Sequence, residues 1–169
     1  IDLVHWVRIF FVLYAMLRLS KKSEYALIAL QYIASHKGRV VSAKEIAEHY
    51  GISFEFVAKT LQALMRQKFI ISQQGASGGY ELLRQPSEIS VAQVIEAVEG
   101  KTQIVECCGE HGSKDCSMQG RCTIKTPMGI LQRRIDEVLA SMTIQQMAFP
   151  ERERYFAIQS VYATNGIIN

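Results

Sequence analysis

Gly51 separates two short amphipathic segments, and the second segment leads directly into two apolar runs around a glycine-rich tip. Ser42 and Glu45 have the spacing of a capping box that opens the first segment, and Ser53 is placed to cap the second. The apolar runs within residues 69–83 predict a β-hairpin. Two helices joined by a tight turn and followed by a hairpin predict a winged helix-turn-helix.

Two more helices complete this unit. Apolar residues spaced three and four apart predict a helix from Ser20 to Ser35, and Ser90 with Gln93 forms a second capping-box pattern before a helix over Val91 to Glu99. The helix after Ser53 has two distinct faces. Its predicted core face consists of Phe56, Val57, Thr60, Leu61 and Leu64, and the opposite face consists of Glu55, Ala58, Lys59, Gln62 and Arg66. We therefore expect a mainly α fold with a small β-hairpin wing.

The distribution of charge favours a polyanionic partner. Hydrophobic residues make up 49% of the 169 residues, which is a globular composition and excludes a disordered chain. Residues 18–85 contain ten Lys/Arg and five Glu, whereas residues 86–169 contain eight Lys/Arg and ten Asp/Glu. The helix-turn-helix half is thus basic, as expected for a unit that binds double-stranded DNA.

A winged helix-turn-helix places its second helix in the major groove, and the glycines of the wing let its backbone approach a groove closely. Basic side chains neutralise phosphates, and polar side chains meet base edges. The predicted DNA-binding residues are Lys44, Ser53, Glu55, Lys59, Gln62, Arg66, Gln74, Ser77 and Gly78.

All four cysteines lie within residues 107–122. Seven residues separate Cys108 from Cys116 and five separate Cys116 from Cys122, which is not the two-to-four-residue spacing of structural zinc sites. Three thiolates on a glycine-rich loop suit an iron-sulfur cluster, with Cys107, His111 or an acidic residue from another segment as the fourth ligand. A zinc site and a metal-free thiol switch are the alternatives.

The sequence predicts five parts of the chain: an N-terminal extension over 1–15, a DNA-binding domain over 16–100, a cysteine loop over 101–125, a dimerisation helix over 126–149 and a tail over 150–169.

The apolar run before Arg18 is too short to span a bilayer, and no signal-peptide pattern is present, so we expect a cytoplasmic protein. The extension is interpreted as non-native because the chain starts with Ile rather than Met and a regular pattern begins after Met16. The alternative is a short apolar arm that packs on a partner subunit. No catalytic constellation is found, so we expect neither an enzyme nor a small-molecule substrate.

Several motifs together resemble the Rrf-two family of winged-helix transcription regulators. They are Leu19 to Leu27, Ile52-Ser53 with Phe56-Val57, Ser77 to Leu82, Ile95 to Gly100 and the three-cysteine loop. Members of this family act as dimers, and many bind an iron-sulfur cluster that senses cluster supply, nitric oxide or iron. Other members lack the cluster and bind a partner enzyme. The cysteine spacing is most similar to that of some nitric-oxide-sensing NsrR members, and it differs from the IscR pattern.

The resemblance implies that Cys108, Cys116 and Cys122 hold the cluster, and that Glu24 of the other subunit completes its ligation. It implies a homodimer that binds a DNA operator, as a repressor, under the control of a [4Fe-4S] or [2Fe-2S] cluster. The alternative is a cluster-free regulator controlled by thiol oxidation or by a partner protein. The chain departs from the family at Gln74, where an arginine is common, and it carries the additional Cys107.

Overall fold

A computed structural model describes residues 19–75, 78–101, 103–105, 116, 118 and 120–150. Six α-helices lie in this part of the chain, in the order α1 (Lys21–Ser35), α2 (Ala43–Tyr50), α3 (Phe54–Arg66), α4 (Val91–Glu99), α5 (Lys125–Ser141) and α6 (Ile144–Ala148). Strands β1 (Ile70–Gln73) and β2 (Gly79–Leu82) follow α3, and a 3-10 turn, Pro86–Glu88, precedes α4. The mainly helical fold with one hairpin is the winged helix-turn-helix that the sequence predicts.

Local capping determines where the helices begin and end. The Ser20 side chain accepts a hydrogen bond from the backbone N–H of Ser23, which starts α1. Gly51 ends α2 in the left-handed conformation, with φ of 63°, and so allows the tight turn into α3. Ser90 and Gln93 form both hydrogen bonds of a capping box at α4.

The hairpin is extended by a backbone bridge from the segment between α1 and α2. Strands β1 and β2 pair antiparallel, with Ile70 opposite Leu82. Val41 and Tyr80 then exchange two backbone hydrogen bonds of 2.9 and 2.8 Å. A Cβ atom at Gly79 would lie 2.6 Å from the Val41 carbonyl oxygen, so the bridge needs glycine there. The wing is thus held directly against the helix-turn-helix unit.

Five of the six helices contribute buried side chains to the hydrophobic core, and α5 packs a partly buried apolar side chain against it. Its largest fully buried side chains include Leu30 of α1, Ile46 of α2, Leu61 of α3 and Val94 of α4. Ile144, far along the sequence, is also completely buried. Burial of such apolar side chains stabilises the folded chain by about 1.5–3 kcal/mol each.

The segment over residues 126–149 differs from the continuous helix that the sequence predicts. Helix α5 ends at Ser141, Met142 is extended, and Thr143 forms a backbone bridge with Ser90 before α6 begins. The Ile144 N–H donates to the carbonyl of Ile89 at 2.9 Å. The chain therefore returns from α5 to the DNA-binding unit and contributes to its core.

Three local expectations also differ in detail. Phe56, predicted to be buried, is 59% exposed, and its ring lies 6.3 Å from that of Tyr25. Ser53 occupies the cap position of α3, but its side chain makes no capping hydrogen bond. Only half of the capping box at Ser42 forms, because the Glu45 carboxylate binds other groups.

Candidate DNA-binding surface and cysteine loop

Helix α3 presents the polar stripe that the sequence predicts. Val57, Leu61 and Leu64 are buried against the other helices. The opposite side chains are exposed, namely Glu55, Lys59, Gln62 and Arg66. Among the described residues, these side chains make no ion pair, so their charges and hydrogen-bonding groups are available to a partner. Lys44 differs from them because it lies 3.7 Å from the Glu48 carboxylate.

At the wing tip, glycine residues leave the backbone without covering side chains. Gln74 is exposed at the end of β1, and Gly75 has φ of 139°, which L side chains rarely adopt. The Gly78 N–H donates to the Gly75 carbonyl at 2.9 Å, and a Cβ atom at Gly78 would lie 2.8 Å from the Gln73 carbonyl oxygen. Ser77 lies outside the described residues.

An ionic network fixes the start of α2 relative to α1. The Arg39 guanidinium donates to both carboxylate oxygens of Glu45, one at 3.0 Å, and the Tyr32 hydroxyl donates to the same carboxylate at 3.0 Å. The hydrogen bonds from Arg39 lower the pKa of Glu45 to about 2. Burial raises the pKa of Tyr32 above its ordinary value. The helix that precedes the turn is therefore anchored by a charged group that stays ionised at neutral pH.

Polar contacts anchor the N-terminal end of the cysteine loop. Glu99, the last residue of α4, accepts hydrogen bonds from the hydroxyls of Ser20 and Ser23 at the start of α1. Five residues later, the Ile104 N–H donates to the side-chain carbonyl of Gln132 at 2.7 Å. Gln132 is the one buried residue of α5. The loop thus leaves the fold between α1 and α5.

Two of the three predicted cysteine ligands are described. Cys116 and Cys122 are half-buried free thiols, and Glu24 lies in the first turn of α1, with a carboxylate oxygen 2.5 Å from the Lys21 ammonium. Cys107, Cys108 and His111 lie outside the described residues. Within the described residues, no group of three or more His, Cys, Asp or Glu side chains comes together as a metal site. Cysteine sulfur is the usual donor to iron-sulfur clusters, so Cys116 and Cys122 carry the donor atom that the predicted cluster requires.

A family model described as an iron-dependent transcriptional regulator, Rrf2, matches residues 19–150. The chain belongs to the Rrf2 family. This is the Rrf-two family that the sequence motifs resemble, and its model is described as that of a transcriptional regulator. The Rrf2 match includes α6 and therefore covers the whole described fold.

Rrf2 relatives match most of the chain. The HTH-type transcriptional regulator IscR of Sodalis glossinidius is 32% identical over 136 residues, which are 80% of this chain and 81% of the relative. The protein aau3 of Rhizobium meliloti is 32% identical over 131 residues, 78% of this chain and 84% of the relative.

Solved structures share this Rrf2 fold. The T. potens IscR structure has a TM-score of 0.64 at 28% identity, covering 86% of this chain and 96% of that one. The structure of CymR, the global cysteine regulator of B. subtilis, has a TM-score of 0.65 at 24% identity, covering 78% and 96%. The second likeness shows the fold alone. Over the described residues, no helix has both the length and the apolar character needed to cross a bilayer.

Sequence reasoning missed the groups that hold the cysteine loop in place. A glutamine on a predicted amphipathic helix, such as Gln132, gives no sign that it will be buried. Glu99 was expected only as the last residue of a helix. Phe54 was not singled out either, and it is an exposed aromatic residue at the first position of α3.

Proposed function

We propose that this Rrf2-family regulator binds a DNA operator as a homodimer and represses transcription, under the control of an iron-sulfur cluster held by the cysteine loop. The observation that carries the proposal is the exposed polar stripe of α3 beside a wing, in a chain whose cysteines lie on one loop attached to the same unit. The second helix of a helix-turn-helix is the element that enters the major groove, and this stripe is its exposed face.

The DNA contacts divide between backbone and bases. Lys44, Lys59 and Arg66 neutralise phosphates, with Lys44 exchanging its partner Glu48 for a phosphate oxygen. Base edges in the major groove meet the polar groups of α3, which are Ser53, Glu55, Lys59 and Gln62. The Ser53 hydroxyl is available for this because it makes no capping hydrogen bond. Gln74, Ser77 and Gly78 of the wing contact the adjacent backbone.

The homodimer is supported by the outer face of α5. Ile130, Leu131 and Val138 are 41%, 42% and 67% exposed there, and Met142 beyond the helix is 50% exposed. A second copy would cover this apolar face and place two recognition helices for two half-sites.

The proposed cluster ligands are Cys108, Cys116 and Cys122, with Glu24 of the other subunit as the fourth. When bound, a [4Fe-4S] or [2Fe-2S] cluster supplies a group that reacts with nitric oxide or oxidants and is lost when iron is scarce. The protein holds one end of the loop at Glu99 and Ile104, close in sequence to the cysteines. Within one subunit, Ser23 binds Glu99, so the start of α1 lies beside the entrance of that subunit's own loop. Ligation by Glu24 of the other subunit therefore requires the loop to reach across the proposed dimer.

A cluster-free regulator controlled by thiol oxidation or a partner protein is the second candidate. Cys116 and Cys122 are free and partly exposed thiols, as such a switch requires. A structure of Staphylococcus aureus CymR in an oxidized form is 25% identical to this chain, with a TM-score of 0.60.

Anaerobic purification followed by a visible absorption spectrum tests the proposal, with iron, acid-labile sulfide and zinc measured on the same sample. We expect a brown protein with matching iron and sulfide that bleaches with nitric oxide or oxygen. A colourless protein that takes up no iron on reconstitution favours the thiol-controlled regulator, and stoichiometric zinc makes the loop structural.

Cys116→Ala is expected to abolish iron and sulfide binding while the fold is retained, because Cys116 lies on a loop outside the core. Met118→Ala is the matched control, since it removes an exposed sulfur-containing side chain from the same loop. A Cys116→Ala protein with the iron content of the unaltered protein would refute the ligand assignment.

A further inference from the structure

The first residue of the recognition helix is an exposed aromatic side chain. Phe54 is 55% exposed, whereas the large apolar residues of the inner face of α3, Val57, Leu61 and Leu64, are at most 2% exposed. The first turn of a helix is usually occupied by residues that cap it or carry negative charge. A phenylalanine does neither, so folding of α3 does not explain Phe54.

Among the described residues, no aromatic ring packs against that of Phe54. Phe56, two residues later, is also exposed, but it packs near Tyr25 of α1 with ring centroids 6.3 Å apart. In the part of the chain that the structure describes, Phe54 has no such aromatic partner. Single exposed apolar side chains are common on protein surfaces. What distinguishes Phe54 is its position at the N-terminal end of α3, the second helix of the helix-turn-helix.

Helix geometry places Phe54 at the edge of the polar stripe. With about 3.6 residues per turn, Phe54 lies between the buried Leu61 and the half-exposed Ala58, and Ala58 in turn borders Gln62 of the stripe. The N-terminal residues of a recognition helix are the ones that reach base edges in the major groove. An apolar group there meets one matching feature of the bases, which is the 5-methyl group of thymine.

We propose that Phe54 determines operator specificity by packing its ring against the 5-methyl group of a thymine in the major groove. This inference rests on the proposed DNA binding and adds a base contact to it. Removal of one methyl group from an apolar contact weakens binding about fourfold, the equivalent of about 0.8 kcal/mol per buried methylene-sized group.

Deoxyuridine substitution tests the contact because it removes only the 5-methyl group. The anaerobically purified full-length protein first selects its operator from duplexes of random sequence. Each thymine of the selected duplex is then replaced in turn by deoxyuridine, and affinity is measured by fluorescence anisotropy at one fixed salt concentration. We expect about a fourfold loss at one or more thymine positions of each half-site.

The variant Phe54→Ala is expected to bind the thymine and deoxyuridine duplexes equally well at the position concerned. Leu83→Ala is the matched control, because it removes another exposed apolar side chain, at the far end of β2 from the wing tip, and should retain the fourfold difference. Phe54→Leu, which keeps an apolar side chain, should retain part of the difference.

The possible failures are distinguishable. A protein that selects no sequence at all contradicts the proposed DNA-reading function and the thymine contact together. A selected operator in which no deoxyuridine weakens binding refutes the contact alone, and this result does not depend on any variant. A Phe54→Ala protein that keeps the full fourfold difference also refutes the role of Phe54.

Discussion

Gly79→Ala is expected to separate the wing from the helix-turn-helix unit. The added Cβ atom would lie 2.6 Å from the Val41 carbonyl oxygen and 2.8 Å from Cγ1 of Val40. The Val41 oxygen belongs to the backbone, so strand β2 must move away, and both hydrogen bonds between Val41 and Tyr80 are lost. Each is worth about 1 kcal/mol net, and residual overpacking costs about 1 kcal/mol more.

Urea unfolding followed by circular dichroism measures this loss, which we expect to be about 2–3 kcal/mol. In a chain of this length the midpoint of thermal unfolding should fall by about 5–10 °C. Gly129→Ala is the matched control. A Cβ atom at Gly129, in α5, meets nothing within 4 Å, and alanine should stabilise the helix by about 0.5–1 kcal/mol. If Gly79→Ala unfolds at the same urea concentration as the unaltered protein, the close approach of β2 to Val41 is not a constraint on the fold.

Two further predictions concern the core and the ionic network. The pKa of Glu45 in the folded protein, about 2, is below that of an unfolded glutamate, so its stabilising effect is present above about pH 4.3 and is lost as the pH falls toward 2. In urea titrations at a series of pH values, the unfolding free energy of Glu45→Gln should therefore fall less on acidification than that of the unaltered protein. The exposed Glu48→Gln should show the same fall as the unaltered protein. Ile144→Ala should lower the unfolding free energy by about 2–5 kcal/mol because the side chain is fully buried. Leu83→Ala, at a site 49% exposed and outside the proposed dimer face, should change it by at most about 0.5 kcal/mol. Equal effects of the two substitutions would contradict the placement of α6 in the core.

The elements that could be predicted from the sequence depend on signals only a few residues apart. The side chains of Ser20, Ser42 and Ser90 each bind a backbone N–H three residues ahead, and Gly51 supplies the left-handed turn. The polar stripe of α3 was predicted for the same reason, because helical periodicity is local. The existence of the wing followed from two apolar runs beside glycines.

The features that could not be predicted depend on residues distant in the sequence. Ile144 is buried because it meets Ile89, and Gln132 is buried because it accepts a hydrogen bond from Ile104. Periodicity placed Phe56 with the core, but the ring lies at the edge of the helix bundle, beside Tyr25. The ion pair of Glu45 with Arg39 competes with the second half of a capping box, and sequence spacing alone does not decide that competition.

The bridge between Ser90 and Thr143 makes the cysteine loop and α5 an insertion within one folding unit, since the chain leaves the core after α4 and re-enters it at Ile144. A loop joined to the folding unit at one end only could rearrange without affecting that unit. Here any rearrangement of the loop must be accommodated between two fixed ends, both of them on the unit that carries the recognition helix. For the same reason a fragment that stops at Gly100 would uncover the apolar surface around Ile89. The helix-turn-helix unit and the proposed sensor loop therefore cannot be separated by cutting the chain between them.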